Sequence, residues 1–238
     1  MSRDRTRENV TENKNEAIRK IDDLLTELIN SDDEKLLKRA DLISYWIKSF
    51  SNFVKSEDTF DPKYLLKYKR GDVVKADFGY RCKNGLGGLH YAIIIDVDNA
   101  KASGLVTVVP LSSKKVNKKI HRTEVDLGNE IFNTLISAYD RSLHKLKVNL
   151  ANVTNNQSEI SKMERDLDTL KKKKNEILKM KEGSVAMISH ISTISKARIK
   201  DPVNRSTGIL CDVKVSTTTL SEIDLKIAKM FTGMEIID

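Results

Sequence analysis

The stretch from residue 69 to residue 115 most constrains the fold, because its apolar residues form strand-length blocks while helical patterns flank it on both sides. Residues 73–78, 91–95 and 106–109 have the length and composition of strands. Continuous apolar blocks are typical of strands buried on both faces. The Asn, Asp, Ser and Gly residues within 98–104 suit a hairpin connection. The pattern therefore predicts three consecutive antiparallel strands that form a small sheet or half a barrel.

A glycine-rich loop over residues 81–89 joins the first two predicted strands. Gly85, Gly87 and Gly88 permit positive φ and a close approach of backbone segments, so we expect a mobile loop that ligands can reach. His90 follows at the mouth of this loop. Histidine side chains titrate near about pH 6.5, which makes His90 a candidate for proton transfer, although a polar residue at a strand edge is the simpler interpretation.

Helices are predicted before the strand region. Residues 1–12 are polar and aperiodic, which predicts a disordered tail. Apolar residues then recur at intervals of three and four, and Ser31 with Glu34 resembles a capping box between two helices. Residues 13–62 are therefore predicted to form an N-terminal helical hairpin. Its apolar stripe must pack against the barrel, a second copy of the chain or another protein.

A seven-residue repeat begins after the strand region. Apolar side chains occupy one heptad position at Phe132, Tyr139, Leu146, Val153, Ile160 and Leu167, and a second at Leu135, Met163, Leu170 and Ile177. One straight helix of this length would extend about 75 Å. Because strand-like sequence resumes at residue 184, we predict a hairpin that turns at 154–158, with arms over 130–153 and 158–181. Residues 129–182 would then be an antiparallel coiled-coil insertion.

The remaining sequence completes the predicted domain. Residues 184–189 and 209–215 are interpreted as strands, 192–199 as a turn or short helix, and 219–230 as a C-terminal helix. The fold class is therefore α+β. Its core domain would consist of residues 63–128 and 183–238, interrupted by the insertion.

Composition limits the function classes. The net charge of +8 suits a polyanionic partner or simply solubility, and charge alone does not choose between them. No apolar run approaches the roughly 18 residues that a membrane span needs. The N-terminus lacks the apolar segment of a secretory signal, and the two cysteines, Cys82 and Cys211, lie far apart. We therefore expect a cytoplasmic protein with reduced thiols, no membrane partner, no metal site and no cofactor.

Several segments together resemble the PemK/MazF family of toxin-antitoxin ribonucleases. Each motif is short, but they occur in the order found in the family. They are Arg70-Gly71-Asp72-Val73 with Ala76-Asp77, then Gly87-Gly88, the apolar block 91–95, the segment 106–112, and later 184–199 and 219–230. The resemblance covers about 69–127 and 183–232, and it leaves out the N-terminal helices and the heptad repeat.

The resemblance implies a small SH3-like (PemK-like) antiparallel β-barrel, usually a homodimer, that cuts single-stranded RNA without a metal ion and is inhibited by an antitoxin. By position, the catalytic arginine of the family falls on His90, and its catalytic threonine or serine falls on Ser112. The Glu-Gln pair of the family falls on Ser189 and His190. The sequence thus departs from the family at two of these sites.

Metal-independent RNA cleavage needs a base for the 2′-hydroxyl, an acid for the leaving 5′-oxygen, and hydrogen-bond donors for charge on the phosphate. We expect His90 to be the acid or base and Ser112 to contact the scissile phosphate. The products would be a 2′,3′-cyclic phosphate and a 5′-hydroxyl. Supporting or RNA-binding roles are assigned to Arg81, Lys83, Gly87, Gly88, Ser113, Lys114 and His190.

Two functions remain open from the sequence. The first is a toxin that acts as a metal-independent endoribonuclease, with N-terminal helices that bind an antitoxin or mediate dimerisation. The second is a non-catalytic SH3-like module that binds nucleic acid or protein, with helical elements that organise an assembly. The basic loop after residue 113 fits phosphate binding as well as it fits a solvated surface.

Overall fold

A computed structural model of the chain describes residues 5–83, 85–115, 117, 119–152, 157–204 and 210–233. The chain divides into two compact units, Met1–Asp58 and Thr59–Asp238. The described residues form α-helices and an antiparallel sheet, which confirms the predicted α+β class. None of the described helices is both long and apolar enough to cross a membrane.

The N-terminal unit contains α1 (Arg7–Ile29) and α2 (Glu34–Ser56), which pack against each other around Leu28, Ala40 and Ile43. Helix α1 begins at Arg7, because Thr6 accepts a hydrogen bond from the Asn9 N–H. Residues 1–4 of the predicted tail lie outside the described residues.

The predicted N-cap of α2 is wrong. The cap is Asp33, whose carboxylate accepts a hydrogen bond from the Lys35 N–H at 2.8 Å. Ser31 instead accepts a bond from the Asp33 N–H. An aspartate directly before the first helical residue caps as well as a serine does, and its charge also favours the helix N-terminus.

The second unit is built on a seven-stranded antiparallel sheet that is not closed. Its strands are β1 (Val73–Asp77), β2 (Leu89–Ile94), β3 (Leu105–Ser113), β4 (Glu124–Asp126), β5 (Ser184–Met187), β6 (Ser192–Ser195) and β7 (Ile199–Asp201). The order across the sheet is β4-β5-β3-β2-β1-β7, and β6 also pairs with β3. The predictions of β1, β2 and β3 from continuous apolar blocks are confirmed.

The sheet is strongly curled. Strand β6 pairs with β3 and β7 pairs with β1, although only a short 3₁₀ turn, Lys196–Arg198, separates β6 from β7. In a flat sheet of this order the two strands would lie about 19 Å apart, at about 4.8 Å per strand. Four extended residues reach about 14 Å at most. The two edges must therefore approach each other.

Two predictions for the C-terminal part differ from the structure. Residues 192–199 hold the strand β6 and the 3₁₀ turn, where a turn or short helix was expected. Of the predicted strand 209–215, residue 209 lies outside the described residues. The rest contains a turn with Asp212 at φ 61 and an isolated bridge between Asp72 and Lys214. A residue in the left-handed region interrupts an extended strand, which explains the difference.

Helices α3 (Glu130–Asn152) and α4 (Gln157–Leu178) pack against each other close to the predicted arms. Residues 153–156, which include most of the predicted turn, lie outside the described residues. The Lys174 ammonium lies 5.7 Å from the centre of the Tyr139 ring, so the late part of α4 runs beside the early part of α3. The base of the pair is buried, whereas Val148 and Leu150 near the far end are exposed.

Apolar clusters cover both faces of the sheet. Val73, Ile93 and Val109 belong to the cluster shared with α3, α4 and α5 (Thr217–Phe231). Their neighbours Val74, Ile94 and Val108 belong to the opposite cluster, which also contains Tyr68, Phe78, Ile194 and Ile199. Successive strand residues point to opposite faces, so a sheet covered on both sides needs continuous apolar strands.

Candidate active site

The connection between β1 and β2 is a closed loop held by backbone hydrogen bonds. The Gly88 N–H donates to the Gly79 carbonyl at 2.6 Å, and the Phe78 N–H donates to the Gly88 carbonyl at 2.8 Å. A Cβ atom at Gly87 would lie 2.5 Å from the Gly79 oxygen, and Gly88 has φ +83°. Glycine is therefore needed at both positions, at Gly87 for close approach and at Gly88 for its backbone conformation.

His90 ties this loop to β3. Its Nε2 lies 3.1 Å from the Gly87 carbonyl oxygen, and its Nδ1 lies 3.2 Å from the Leu111 carbonyl oxygen. Because carbonyl oxygens only accept hydrogen bonds, the imidazolium satisfies both contacts and the neutral ring satisfies one. The ring also packs edge-on against Phe78, with 6.1 Å between centroids.

Ser112 lies near the end of β3, on the strand beside His90. The β2–β3 pairing ends at Ala92 and Pro110, so His90 and Ser112 each lie two residues beyond its last pair. Ser112 pairs with Val185 of β5. The His90 ring contacts the carbonyl of Leu111, the residue next to Ser112, so the two candidate residues lie near each other.

A small cleft of about 50 Å³ adjoins Ser112. A second serine, three lysines and one glutamate also line it: Ser113, Lys114, Lys115, Lys119 and Glu124. Lys118, which the sequence pattern groups with these lysines, lies outside the described residues. The cleft therefore combines hydroxyl donors with positive charge, a combination that suits a phosphate group.

Lys114 is engaged locally. Its Nζ lies 2.6 Å from Asp126 Oδ2, and this hydrogen bond is the largest influence that lowers the pKa of the Asp126 carboxyl. The ion pair partly neutralises Lys114. Lys115 and Lys119 are exposed, and they are better placed than Lys114 to meet an anion.

Arg81 and Lys83 lie on the glycine-rich loop with exposed side chains. Beneath the loop, the buried Asp77 accepts a hydrogen bond from the Gly79 N–H at 2.8 Å. The β1–β7 register pairs Ala76 with Ile199, which brings Arg198 to the same end of β1. Burial lowers the pKa of the Arg198 guanidinium, the Asp77 carboxylate opposes this change, and Arg81 adds to it. The charges of Asp77 and Arg81 therefore lie close enough to influence Arg198.

Asp77 and Arg198 lie beside the candidate site, and sequence reasoning gave neither of them a role. The available signal for Asp77 was an acidic residue at the end of an apolar strand, directly before the loop. No comparable signal marks Arg198, because its position depends on how β7 pairs with β1.

His190 lies further from the pair of catalytic candidates along the sheet. It ends the 3₁₀ turn Ile188–His190 after β5, beyond the residue Val185 that pairs with Ser112. Its Nδ1 lies 3.1 Å from the Ser189 hydroxyl. No group of three or more His, Cys, Asp or Glu side chains within the described ranges is arranged to hold a metal ion.

Comparison with known proteins gives one family. Residues 69–147, about a third of the chain, match the model of the PemK-like, MazF-like toxin of type II toxin-antitoxin system. The predicted resemblance is thereby confirmed over β1–β4, and the match continues into α3, further than expected. It does not include residues 183–232, where the resemblance stays a prediction. No curated protein matches the chain.

Proposed function

Because residues 69–147 match the model of PemK-like, MazF-like toxins, we propose that the protein is the toxin of a toxin-antitoxin system and a metal-independent endoribonuclease that cuts single-stranded RNA. One observation carries the proposal: the family match covers β2 and β3, and the His90 ring on β2 contacts the Leu111 carbonyl next to Ser112 on β3. The products are a 2′,3′-cyclic phosphate and a 5′-hydroxyl.

His90 transfers the proton in this proposal. To do so, one ring nitrogen must exchange its carbonyl partner for RNA. Nε2 is the nitrogen suited to this exchange, because its partner Gly87 belongs to the loop, whereas the partner of Nδ1 is Leu111 within the sheet. RNA that displaces the Gly87 carbonyl would therefore reach His90 without disturbing β3.

Side chains from the end of β3, from the glycine-rich loop and from beside Asp77 would hold the phosphate. Ser112 donates to the scissile phosphate, and Ser113 shares that role from the same strand end. Arg81 and Lys83 supply positive charge from the loop, and Arg198 supplies it from beside Asp77. Because the family's catalytic arginine position holds His90, a guanidinium from another element takes over the stabilisation of charge on the phosphate.

The finer architecture also belongs to this proposal. The curled sheet is an SH3-like barrel with residues 63–128 and 183–238, and α3–α4 is an antiparallel coiled-coil insertion over 129–182. The chain acts in the cytoplasm as a homodimer. The N-terminal helices α1 and α2, which lie outside the family match and expose apolar side chains, bind the antitoxin or mediate dimerisation.

One observation favours the alternative of a non-catalytic SH3-like module that binds nucleic acid or protein. Both ring nitrogens of His90 already contact backbone carbonyls, an arrangement that also suits a purely structural histidine. Under this alternative His90 fixes the glycine-rich loop, and the basic surface binds nucleic acid or protein without cutting RNA.

Cleavage of single-stranded RNA in excess EDTA separates the two functions. We expect the wild-type protein to cut, and His90→Ala to lose about 10²- to 10⁴-fold in rate, since this is the usual contribution of proton transfer. His144→Ala, at an exposed position of α3, is the matched control and should cut like the wild type. Intact RNA with the wild type, or equal cutting by His90→Ala, would exclude the catalytic proposal.

A further inference from the structure

A second basic cleft lies at the start of β1, away from the glycine-rich loop. It encloses about 450 Å³. Three separate segments contribute lysines to its lining: Lys67 and Lys69 before β1, Lys101 between β2 and β3, and Lys214 before α5. This volume lies within the range of clefts that bind ligands in proteins.

The cleft keeps a surplus of positive charge, because four lysines and only two aspartates, Asp72 and Asp212, line it. Its Asp72 is already engaged, because Oδ1 lies 3.2 Å from Lys214 Nζ and Oδ2 accepts a hydrogen bond from the Lys69 N–H. Lys67, Lys69 and Lys101 are exposed, and no ion pair joins any of them to another residue in the described part of the chain. Three cationic side chains are thus available to an anionic ligand.

An exposed aromatic residue stands beside these lysines. Tyr64 ends the 3₁₀ turn Pro62–Tyr64, directly before the cleft residue Leu65, and it is 87% exposed. A large aromatic ring in that position is available for base stacking. Cationic side chains next to an exposed aromatic ring are the usual elements of a surface that binds single-stranded nucleic acid. An acidic peptide would use the lysines but has no need of the ring.

The cleft and the glycine-rich loop beside His90 are connected through one apolar cluster. Leu65 and Leu66 pack against the apolar cluster that contains Phe78, and Leu86 of the glycine-rich loop packs against it too. Phe78 in turn contacts the His90 ring. From Asp72 to Asp77, β1 spans about 17 Å at 3.3 Å per residue. At this separation a single strand of RNA can reach both sites.

We propose that this cleft binds the RNA strand beside the cut, with Lys67, Lys69 and Lys101 on backbone phosphates and Tyr64 stacked on a base. The proposal rests on the proposed function, because it takes RNA as the substrate. It adds a contact surface that begins before the family-matched segment and contributes affinity rather than chemistry.

The test measures the affinity for a fluorescent 2′-O-methyl oligonucleotide, which lacks the attacking hydroxyl and stays intact. Anisotropy titrations over a range of salt concentrations give the slope of log K against log salt. Single strands contribute about −0.7 per phosphate contact, so the triple change Lys67→Gln, Lys69→Gln and Lys101→Gln should reduce the slope by about 2. Tyr64→Ala should weaken binding about tenfold with the slope unchanged, and Tyr64→Trp should restore it.

The matched control removes the same charge from exposed positions of α2, with Lys35→Gln, Lys38→Gln and Lys48→Gln. It should keep the wild-type slope. A wild-type protein that binds no oligonucleotide at low salt would reject the proposed function itself. Wild-type binding with equal slopes for the two triple variants would overturn only the cleft assignment. So would an acidic peptide that binds the cleft while Tyr64→Ala leaves RNA affinity intact, since this outcome assigns the cleft to a protein partner.

Discussion

The molecule contains two helix pairs of almost equal length that differ greatly in burial. Helices α1 and α2 each have 23 residues, and α3 and α4 have 23 and 22. The first pair fully buries Leu28, Ala40 and Ile43, whereas the second buries Ile131, Leu135, Ala138, Tyr139, Leu170 and Ile177. The sheet supplies an apolar face to α3 and α4. An apolar stripe therefore predicts a helix, but the surface opposite decides what the stripe contributes to stability.

The largest expected difference comes from truncating one side chain in each pair. Leu135 is completely buried between α3 and the sheet, so Leu135→Ala should lower the free energy of unfolding by about 2–5 kcal/mol. Ile18 of α1 is 57% exposed, so Ile18→Ala should change the free energy of unfolding by less than about 0.5 kcal/mol. Urea titrations followed by far-UV circular dichroism measure both changes.

The single tryptophan of the chain, Trp46, lies in α2, so its fluorescence follows the unfolding of the N-terminal unit. It gives a second measurement for Ile18→Ala, whose fluorescence transition should stay close to that of the wild type. A similar loss for both variants would contradict the comparison, because it would mean that α1 buries Ile18 against a partner in solution.

An intermediate difference is expected from ion pairs. Lys75 of β1 pairs with Glu176 of α4, and the Lys75 side chain is only 18% exposed. Glu176→Gln leaves that ammonium without its charge partner and should cost about 1 kcal/mol in the same titration. The control is Glu16→Gln in the exposed α1 pair Glu16–Lys20, where about 0.3–0.5 kcal/mol is expected. Equal effects would mean that the α4 contact behaves as an ordinary surface pair.

The smallest expected effect is a pH dependence confined to the sheet unit. The Lys114 hydrogen bond holds the pKa of Asp126 below its ordinary value, so the pair stabilises the fold above the unfolded value of about 3.9. That contribution disappears as the pH falls through the lower folded pKa. The Asp126 side chain is 39% exposed, which limits the contribution to less than about 1 kcal/mol.

Asp126→Asn removes the charge and keeps an oxygen for the Gly128 N–H. Stability curves between pH 6 and pH 2 should therefore fall less steeply for this variant than for the wild type. Asp32→Asn, in the exposed α1–α2 connection, should leave the curve unchanged. A wild-type slope in Asp126→Asn would show that the Lys114 contact adds no pH-dependent stability.

Sequence patterns predicted the elements that have a strong local signal. Continuous apolar blocks identified β1, β2 and β3, and the heptads identified both arms of the α3–α4 pair to within a few residues. Strands β6 and β7 have four and three residues, and Ser192 and Thr193 give β6 no apolar signal. Their pairing with β3 and β1 fixes them, and pairing between distant segments leaves no local pattern.

The same distinction applies to the candidate site. His90 was proposed because it stands at the mouth of the glycine-rich loop, and Ser112 because the family's catalytic threonine or serine falls on its position. The carbonyl contacts of His90 and the approach of Arg198 to Asp77 depend on strand register and loop closure. Neither could be deduced from residue types along the chain, since register is a property of two segments at once.

The chain leaves the sheet before α3 and returns after α4 at almost the same point. The Ser184 N–H donates to the Gly128 carbonyl at 2.9 Å, and the Leu127 N–H donates to the Ser184 carbonyl at 3.0 Å. The residues at which the chain leaves and re-enters the sheet are thus hydrogen-bonded neighbours. The entropic cost of closing the inserted segment changes by only about 0.6 kcal/mol for each doubling of its length. The far end of the helix pair can consequently be lengthened, shortened or exchanged for another domain without altering the strand order. It is therefore a suitable site for inserting a reporter domain.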